Sequence, residues 1–184
     1  MIVGFKRVAS LIFLCAALSA CASPAEVQNM VVTKSSVSVS GKETPFSNAI
    51  LIKQVDGGED TNPLWTSEVG KSGFREALRS SMQQTGFLAS SASATKFDLH
   101  ATLSKVAQPL VGLNFTVTSY VRYRLIQRST LKTWFDEEVS AAYTATFGDS
   151  LLGVQRLRLA NEGSIRENIR LFIQRLAQQK APLS

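Results

Sequence analysis

Three consecutive segments in the middle of the chain alternate between apolar and polar residues, and they constrain the fold more than any other feature. They cover residues 97–104, 115–127 and 132–146. A period of two places the apolar side chains of a strand on one face and the polar side chains on the other. Because short turn-forming stretches separate the segments, we expect neighbouring antiparallel strands in one half-buried sheet.

Two segments with helical periodicity lie on either side of these strands. In residues 67–85 the apolar positions recur every three or four residues, and Gly86 follows as a C-terminal stop. The second helical segment covers residues 159–178. A β-branched run at residues 49–55 predicts one further strand. This order predicts the α+β class, with an antiparallel sheet of about four strands and two helices packed on one face.

The first twenty residues have the pattern of a secretory signal peptide. Lys6 and Arg7 precede an almost wholly apolar run at residues 8–18. A membrane-spanning helix needs roughly 20 apolar residues, so this run is short for a span. A membrane anchor or a buried helix is the alternative interpretation.

The sequence Leu18-Ser19-Ala20-Cys21 follows at once and resembles the lipobox of bacterial lipoproteins. The resemblance implies that lipid is attached to the Cys21 thiol, that cleavage occurs before Cys21, and that the new amino group is then acylated, for example with palmitate. Ala22 is not the Asp that retains such proteins in the inner membrane of Gram-negative families. The resemblance therefore implies anchoring in the outer membrane, on its periplasmic face. The alternative is an ordinary signal peptide that leaves a free thiol.

These features predict three regions. Residues 1–20 are the signal peptide, residues 21–46 a lipidated tether, and residues 47–184 a single α+β domain. Within the tether, Val37 and Val39 alternate with serines and predict a weak edge strand.

Residues that carry catalysis are scarce in the chain. His100 is the single histidine and falls on the polar face of its strand. The chain has no nucleophile elbow and no glycine-rich phosphate-binding motif, and no set of residues has the spacing of metal ligands. Asp136 and Glu138 share a strand face, whereas glycosidase carboxylates lie across a cleft. We therefore expect no enzyme activity, no cofactor and no metal ion. Without residues 1–20, and so without Lys6 and Arg7, 18 basic and 14 acidic residues remain, and this net charge of +4 gives no reason to expect nucleic acid.

One group of residues suggests a binding surface. Tyr120, Arg122 and Arg124 fall on the polar face of the second alternating strand. If that face is uncovered, they form a basic surface for phosphate or an acidic sugar, because the guanidinium group binds such anions through two parallel hydrogen bonds. Arg156 and Arg158, placed before the last helix, are further basic candidates. An ordinary polar sheet face is the alternative.

The lipobox together with this order of elements resembles small outer-membrane lipoproteins of proteobacteria, namely the YajG-like lipoproteins and the lipoprotein of the lipopolysaccharide translocon. The leading hypothesis is a non-catalytic binding, accessory or assembly factor. It would be bound to the membrane through lipid on Cys21, and its partner would be an envelope protein or a glycolipid. The alternative is an envelope hydrolase or acyltransferase acting on lipid or glycan, in which His100 meets a serine and a carboxylate. A third hypothesis is a structural protein whose sheet edge self-associates.

Overall fold

The computed structural model describes residues 24–37, 44–58, 69–109 and 111–179. The predicted signal peptide and Cys21 lie outside these residues. The described elements form one four-stranded sheet in the order β1-β2-β3-β4 with helices beside it. In chain order they are α1 (Val27–Met30), a 3-10 turn (Lys34–Ser36), β1 (Ile50–Gly57), α2 (Lys71–Gln84), β2 (Phe97–Ala107), β3 (Phe115–Gln127), β4 (Thr133–Ala145) and α3 (Gly153–Gln178).

The alternating segments form the sheet as predicted. β2 pairs antiparallel with β3, and β3 pairs antiparallel with β4. Helix α2 packs on β1, helix α3 packs on β3 and β4, and the two helices contact each other. Both long helices therefore cover one face of the sheet, and the predicted α+β class is confirmed. The apolar row of β3 is buried beneath α3, and it comprises Val117, Val121, Tyr123 and Leu125.

β1 departs from the fully antiparallel sheet that the sequence predicts. It pairs with β2 in parallel, with Ile50 opposite Phe97 and Gly57 opposite Leu103. The reason is that α2 returns the chain along the sheet before β2 begins, and a helical crossover joins strands that run in the same direction. The sheet is therefore mixed, with one parallel and two antiparallel pairs.

Helix α2 ends where the sequence predicts. Gly86 has φ +81°, a backbone conformation that glycine adopts without a steric penalty. The Phe87 amide donates to the Met82 carbonyl at 2.9 Å, and the Gly86 amide donates to the Gln83 carbonyl at 3.2 Å. These two bonds form a Schellman motif, which satisfies carbonyls at the helix end. Phe87 is buried and packs back into the core.

Helix α3 begins earlier than the sequence indicates. Its first residue is Gly153, so Arg156 and Arg158 lie within the first turns and do not precede the helix. The start is hard to recognise because Leu152, at the N-cap position, provides no side-chain hydrogen bond. Arg156 instead ties the turn to the preceding loop, because its Nη1 donates to the Ser150 carbonyl at 2.7 Å.

Residues 24–37, here called the N-terminal strap, pack on the folded domain. Met30, Val32 and Val37 are buried in the same core as the sheet. The Val32 amide donates to Ser81 Oγ of α2 at 2.9 Å. The sequence assigns this stretch to a polar tether, but the structure adds its apolar side chains to the core.

The strap is also bound to α3 by polar contacts. The Glu162 carboxylate, only 1% exposed, accepts from the Glu26 amide at 2.7 Å and from Asn29 Nδ2 at 2.8 Å. Arg166 Nη1 donates to the Asn29 carbonyl at 2.6 Å. Arg158 pairs with Glu26 at 3.3 Å. The strap therefore has a fixed position along one side of α3.

The predicted strand around Val37 and Val39 falls largely outside the described residues, because the structure describes the chain only up to Val37 and again from Thr44. Val37 itself lies in a bend. Phe46, at the end of the predicted tether, is buried against Phe97, with ring centroids 5.1 Å apart.

Candidate functional site

The polar face of the sheet carries the predicted binding residues. Within the described ranges, every long helix packs on the opposite face. On β3, Tyr120 is half-buried, while Arg122 and Arg124 are exposed. The structure thus places all three side chains on one face, here called the open face, which consists of the outward side chains of β2, β3 and β4. Their role in binding stays a prediction.

The arginines of the open face stand among carboxylates. Arg122 Nε donates to Asp136 Oδ1 at 2.7 Å. This hydrogen bond lowers the pKa of Asp136 and raises the pKa of Arg122. In the strand register Glu138 lies opposite Arg122, and Asp136 lies opposite Arg124. The surface is therefore a pattern of alternating charge and not the uniformly basic patch that the arginines alone suggested.

This charge pattern affects what the face can bind. A phosphate or acidic sugar at Arg122 would compete with the Asp136 carboxylate, which already accepts a hydrogen bond from Arg122. It would also meet the negative charge of Glu138. A partner that presents both donors and acceptors would not meet this penalty. The open face is thus better suited to a mixed-charge surface than to a lone anion.

His100, the candidate of the alternative enzyme hypothesis, also lies on the open face. In the register it stands between Gln54 of β1 and Arg124 of β3. The carboxylate of Asp98, two residues earlier, pairs instead with Arg128 at 3.1 Å. In the described part of the chain no hydrogen bond joins His100 to a serine or a carboxylate, although a nucleophile and its base must come within hydrogen-bond reach.

The described residues contain no group of three or more histidine, cysteine, aspartate or glutamate side chains placed to hold a metal ion. None of the helices within these ranges has both the length and the apolar character needed to cross a membrane.

A cleft of about 430 Å³ lies at the far end of β2 and β3, away from the predicted binding residues. Its two cationic side chains are Lys96 and Arg128, and the latter is paired with Asp98. The cleft therefore adjoins one end of the open face through this ion pair, but its lining includes none of Tyr120, Arg122 and Arg124. Its lining consists of Thr95, Lys96, Phe97, Gln127, Arg128 and Ser129.

A buried amide beneath the open face is a residue that the sequence reasoning missed. Asn168 Nδ2 donates to the carbonyls of Ser119, at 3.2 Å, and Val139, at 2.7 Å. Its Oδ1 accepts from the Tyr123 hydroxyl at 3.0 Å. Burial raises the pKa of Tyr123, so the hydroxyl remains a neutral donor. The sequence contains an indication of this role, because the polar Asn168 directly precedes Ile169 on the apolar face of α3.

The same part of α3 carries close packing that reinforces this connection. The rings of Tyr123 and Phe172 stack with centroids 3.9 Å apart and an interplanar angle of 4°. Together with the Asn168 bonds, this stack fixes α3 against β3 and the edge strand β4. Helix α3 therefore packs against the sheet on the side opposite the open face, and this packing fixes the backbone positions that carry the open-face side chains.

Comparison with known proteins bears on the fold. No protein-family model and no curated protein sequence matches this chain. The crystal structure of XCC0632 from Xanthomonas campestris, which carries the family model DUF330, is similar with a TM-score of 0.54 and 9% identity, covering 71% of this chain and 84% of that one. At this identity the likeness shows a shared fold and nothing about ligands.

Two further solved structures have lower similarity. One is a protein of Caulobacter crescentus classed provisionally as a lipoprotein, with a TM-score of 0.47 and 15% identity over 71% of this chain and 88% of that one. The other is lipoprotein GNA1162 from Neisseria meningitidis, with a TM-score of 0.42 and 11% identity over 71% of this chain and 98% of that one. Of these three structures, XCC0632 has a TM-score above 0.5, so the conclusion about the fold rests on that structure.

Proposed function

We propose that this protein is a lipoprotein of the bacterial cell envelope that acts by binding, as a non-catalytic accessory or assembly factor. Lipid on Cys21 would anchor it in the outer membrane, on the periplasmic side. The lipobox-like sequence Leu18-Ser19-Ala20-Cys21 supports the anchor. The observation that carries the binding role is the open face, a charged sheet surface that no described helix covers.

The preferred partner is another envelope protein. Arg122 and Arg124 alternate with Asp136 and Glu138 across β3 and β4. Such a pattern favours a partner surface with complementary charges, because opposite charges steer the encounter and like charges reject wrong partners. An anionic glycolipid would gain less binding free energy, since it must compete with the carboxylates for the arginines.

The anchor is tested by metabolic labelling with a clickable palmitate analogue, comparing the natural chain with Cys21→Ser, followed by membrane fractionation. We expect label only on the natural chain and only in the outer-membrane fraction. Label on neither chain would refute lipidation. Label in the inner-membrane fraction would refute the location.

The binding face is tested by incorporating a photo-crosslinking phenylalanine analogue at Tyr120 in living cells. Its matched control is the same analogue at the exposed Gln83 of α2. We expect one cross-linked species of defined mass from position 120 and none from position 83. In the Tyr120 background the double change Arg122→Ala and Arg124→Ala should abolish the species, whereas Arg79→Ala on α2 should leave it. Cross-links that persist in the double variant would exclude the arginines from the contact.

A further inference from the structure

Two adjoining loops at one end of the sheet expose apolar side chains. Leu113 is 75% exposed in the β2–β3 connection, and Leu152 is 60% exposed in the β4–α3 connection. Contiguous exposed apolar surface is uncommon on soluble domains and marks sites of contact. The set, here called the loop cluster, comprises Val111, Leu113, Phe147, Leu151, Leu152 and Val154.

The two loops are held as one surface. The Phe147 amide donates to Asn114 Oδ1 at 3.1 Å, which links the β4–α3 loop to the β2–β3 loop. The Arg156 guanidinium lies 5.5 Å from the ring centroid of Phe115 and 5.2 Å from that of Phe147. These contacts hold the base of both loops, so their apolar tips point out from the same end of the domain.

The N-terminal strap runs toward this end. Asn29 contacts Arg166, whereas Glu26, three residues earlier, contacts Arg158. Read backward along the chain, the strap therefore follows α3 from residue 166 toward its start at Gly153, which directly follows Leu152 of the loop cluster. Cys21 is five residues before Glu26, a stretch that spans at most about 18 Å.

The loop cluster carries little charge. Asp149 is the one ionisable residue in the stretches 111–114 and 147–154. Its carboxylate already accepts hydrogen bonds from the Thr146 amide at 2.6 Å and hydroxyl at 2.8 Å. An apolar surface of this kind suits the boundary between headgroups and acyl chains, where exposed apolar side chains gain burial.

We propose that the loop cluster inserts into the bilayer that holds the lipid on Cys21. The inference rests on the proposed lipidation, because the acyl chains bring this end of the domain to the membrane. Lipid and loops would then form two contacts, which together fix the orientation of the domain. The strand ends carrying the loops point at the bilayer, so the open face stands beside the membrane and stays accessible to a partner.

The test uses single-cysteine variants of the natural lipidated protein in vesicles of phosphatidylethanolamine and phosphatidylglycerol. Leu113→Cys and Leu152→Cys receive a polarity-sensitive fluorophore, and Cys21 does not react because lipid occupies its sulfur. The matched control is Leu131→Cys, which is 78% exposed in the β3–β4 connection at the opposite end of the sheet. We expect shorter-wavelength emission at positions 113 and 152, and loss of that emission when nitroxide-bearing lipid is added, with no change at position 131.

Each other result overturns a specific part of this inference. If lipidated protein binds vesicles but all three labels remain in water, the loop cluster does not insert, although the anchor stands. A wavelength shift without nitroxide quenching would place the cluster in a contact with protein, either a second copy or another partner. If mass spectrometry finds no lipid on Cys21, the proposed function itself fails, independently of the labels.

Discussion

Two helical glycines should respond in opposite directions to the same substitution. Gly163 lies inside α3, where an added Cβ would overlap Cδ1 and Cγ of the Tyr143 ring. Gly73 lies near the start of α2, where an added Cβ would meet only Met30 Cε at 3.6 Å, an ordinary contact. The chain thus provides a matched pair in which helix propensity is similar and packing differs.

The expected magnitudes follow from these distances. Gly73→Ala should stabilise the protein by about 0.5 kcal/mol, because alanine loses less backbone entropy in a helix. Gly163→Ala has a propensity gain of about 1 kcal/mol, but the Tyr143 ring must move as a whole, and overpacking costs roughly 1 to 3 kcal/mol. We therefore expect a net destabilisation of about 1 kcal/mol for Gly163→Ala.

Thermal unfolding followed by circular dichroism measures this contrast. In a domain of this size the two variants should differ in Tm by about 3 to 6 °C, with Gly73→Ala the more stable. In a Tyr143→Ala background the ring is absent, so Gly163→Ala should become stabilising, and the double-mutant cycle isolates the contact. Stabilisation by Gly163→Ala in the natural background would refute the close packing of α3 on β4.

Three other changes test the buried network, the strap and the open face. Asn168→Leu should lower the free energy of unfolding by about 3 kcal/mol, because the buried Tyr123 hydroxyl loses its acceptor and two strand carbonyls lose the amide donor; a decrease below about 1 kcal/mol in a urea titration would contradict the network. Glu162→Gln should accelerate limited proteolysis within residues 24–37, since the strap loses its charged acceptor, and unchanged cleavage would count against that role. The lowered pKa of Asp136 means that its pair with Arg122 stabilises the fold above the ordinary carboxyl pKa of about 4 and is lost as the pH falls below it. Asp136→Asn should therefore differ slightly from the natural protein at neutral pH, and the difference should shrink in denaturant titrations as the pH falls through the lowered native-state pKa of Asp136; equal stability at every pH would show that the pair contributes nothing.

The three alternating strands were predictable because the information that specifies a strand and its buried face is local. The alternation in residues 115–127 specifies both the strand and its buried face, and the structure assigns β3 the same bounds. Gly86 was recognisable as a helix terminus for the same reason, because few residues other than glycine adopt the left-handed conformation that often follows a helix. Each of these features is encoded within a window of a dozen residues.

Features that depend on distant partners were not predictable. The strap reads as a polar spacer, and its burial becomes clear only when Glu162 and Ser81 are seen beside it. The parallel pairing of β1 depends on which strand the crossover reaches. The open face was predicted as basic because Arg122 and Arg124 were visible on one strand, whereas the neighbouring carboxylates on β4 required the register.

The contact between the strap and α3 also determines when the protein can finish folding during its synthesis. Glu26 and Glu162 are separated by 136 positions, and a polypeptide emerges from the ribosome N-terminus first. The segment that must be bound is among the first to appear, and the helix that binds it is among the last. A long-range closure of this kind is slow compared with local folding. If the chain is secreted as proposed, the domain closes only after its last helix has crossed the membrane.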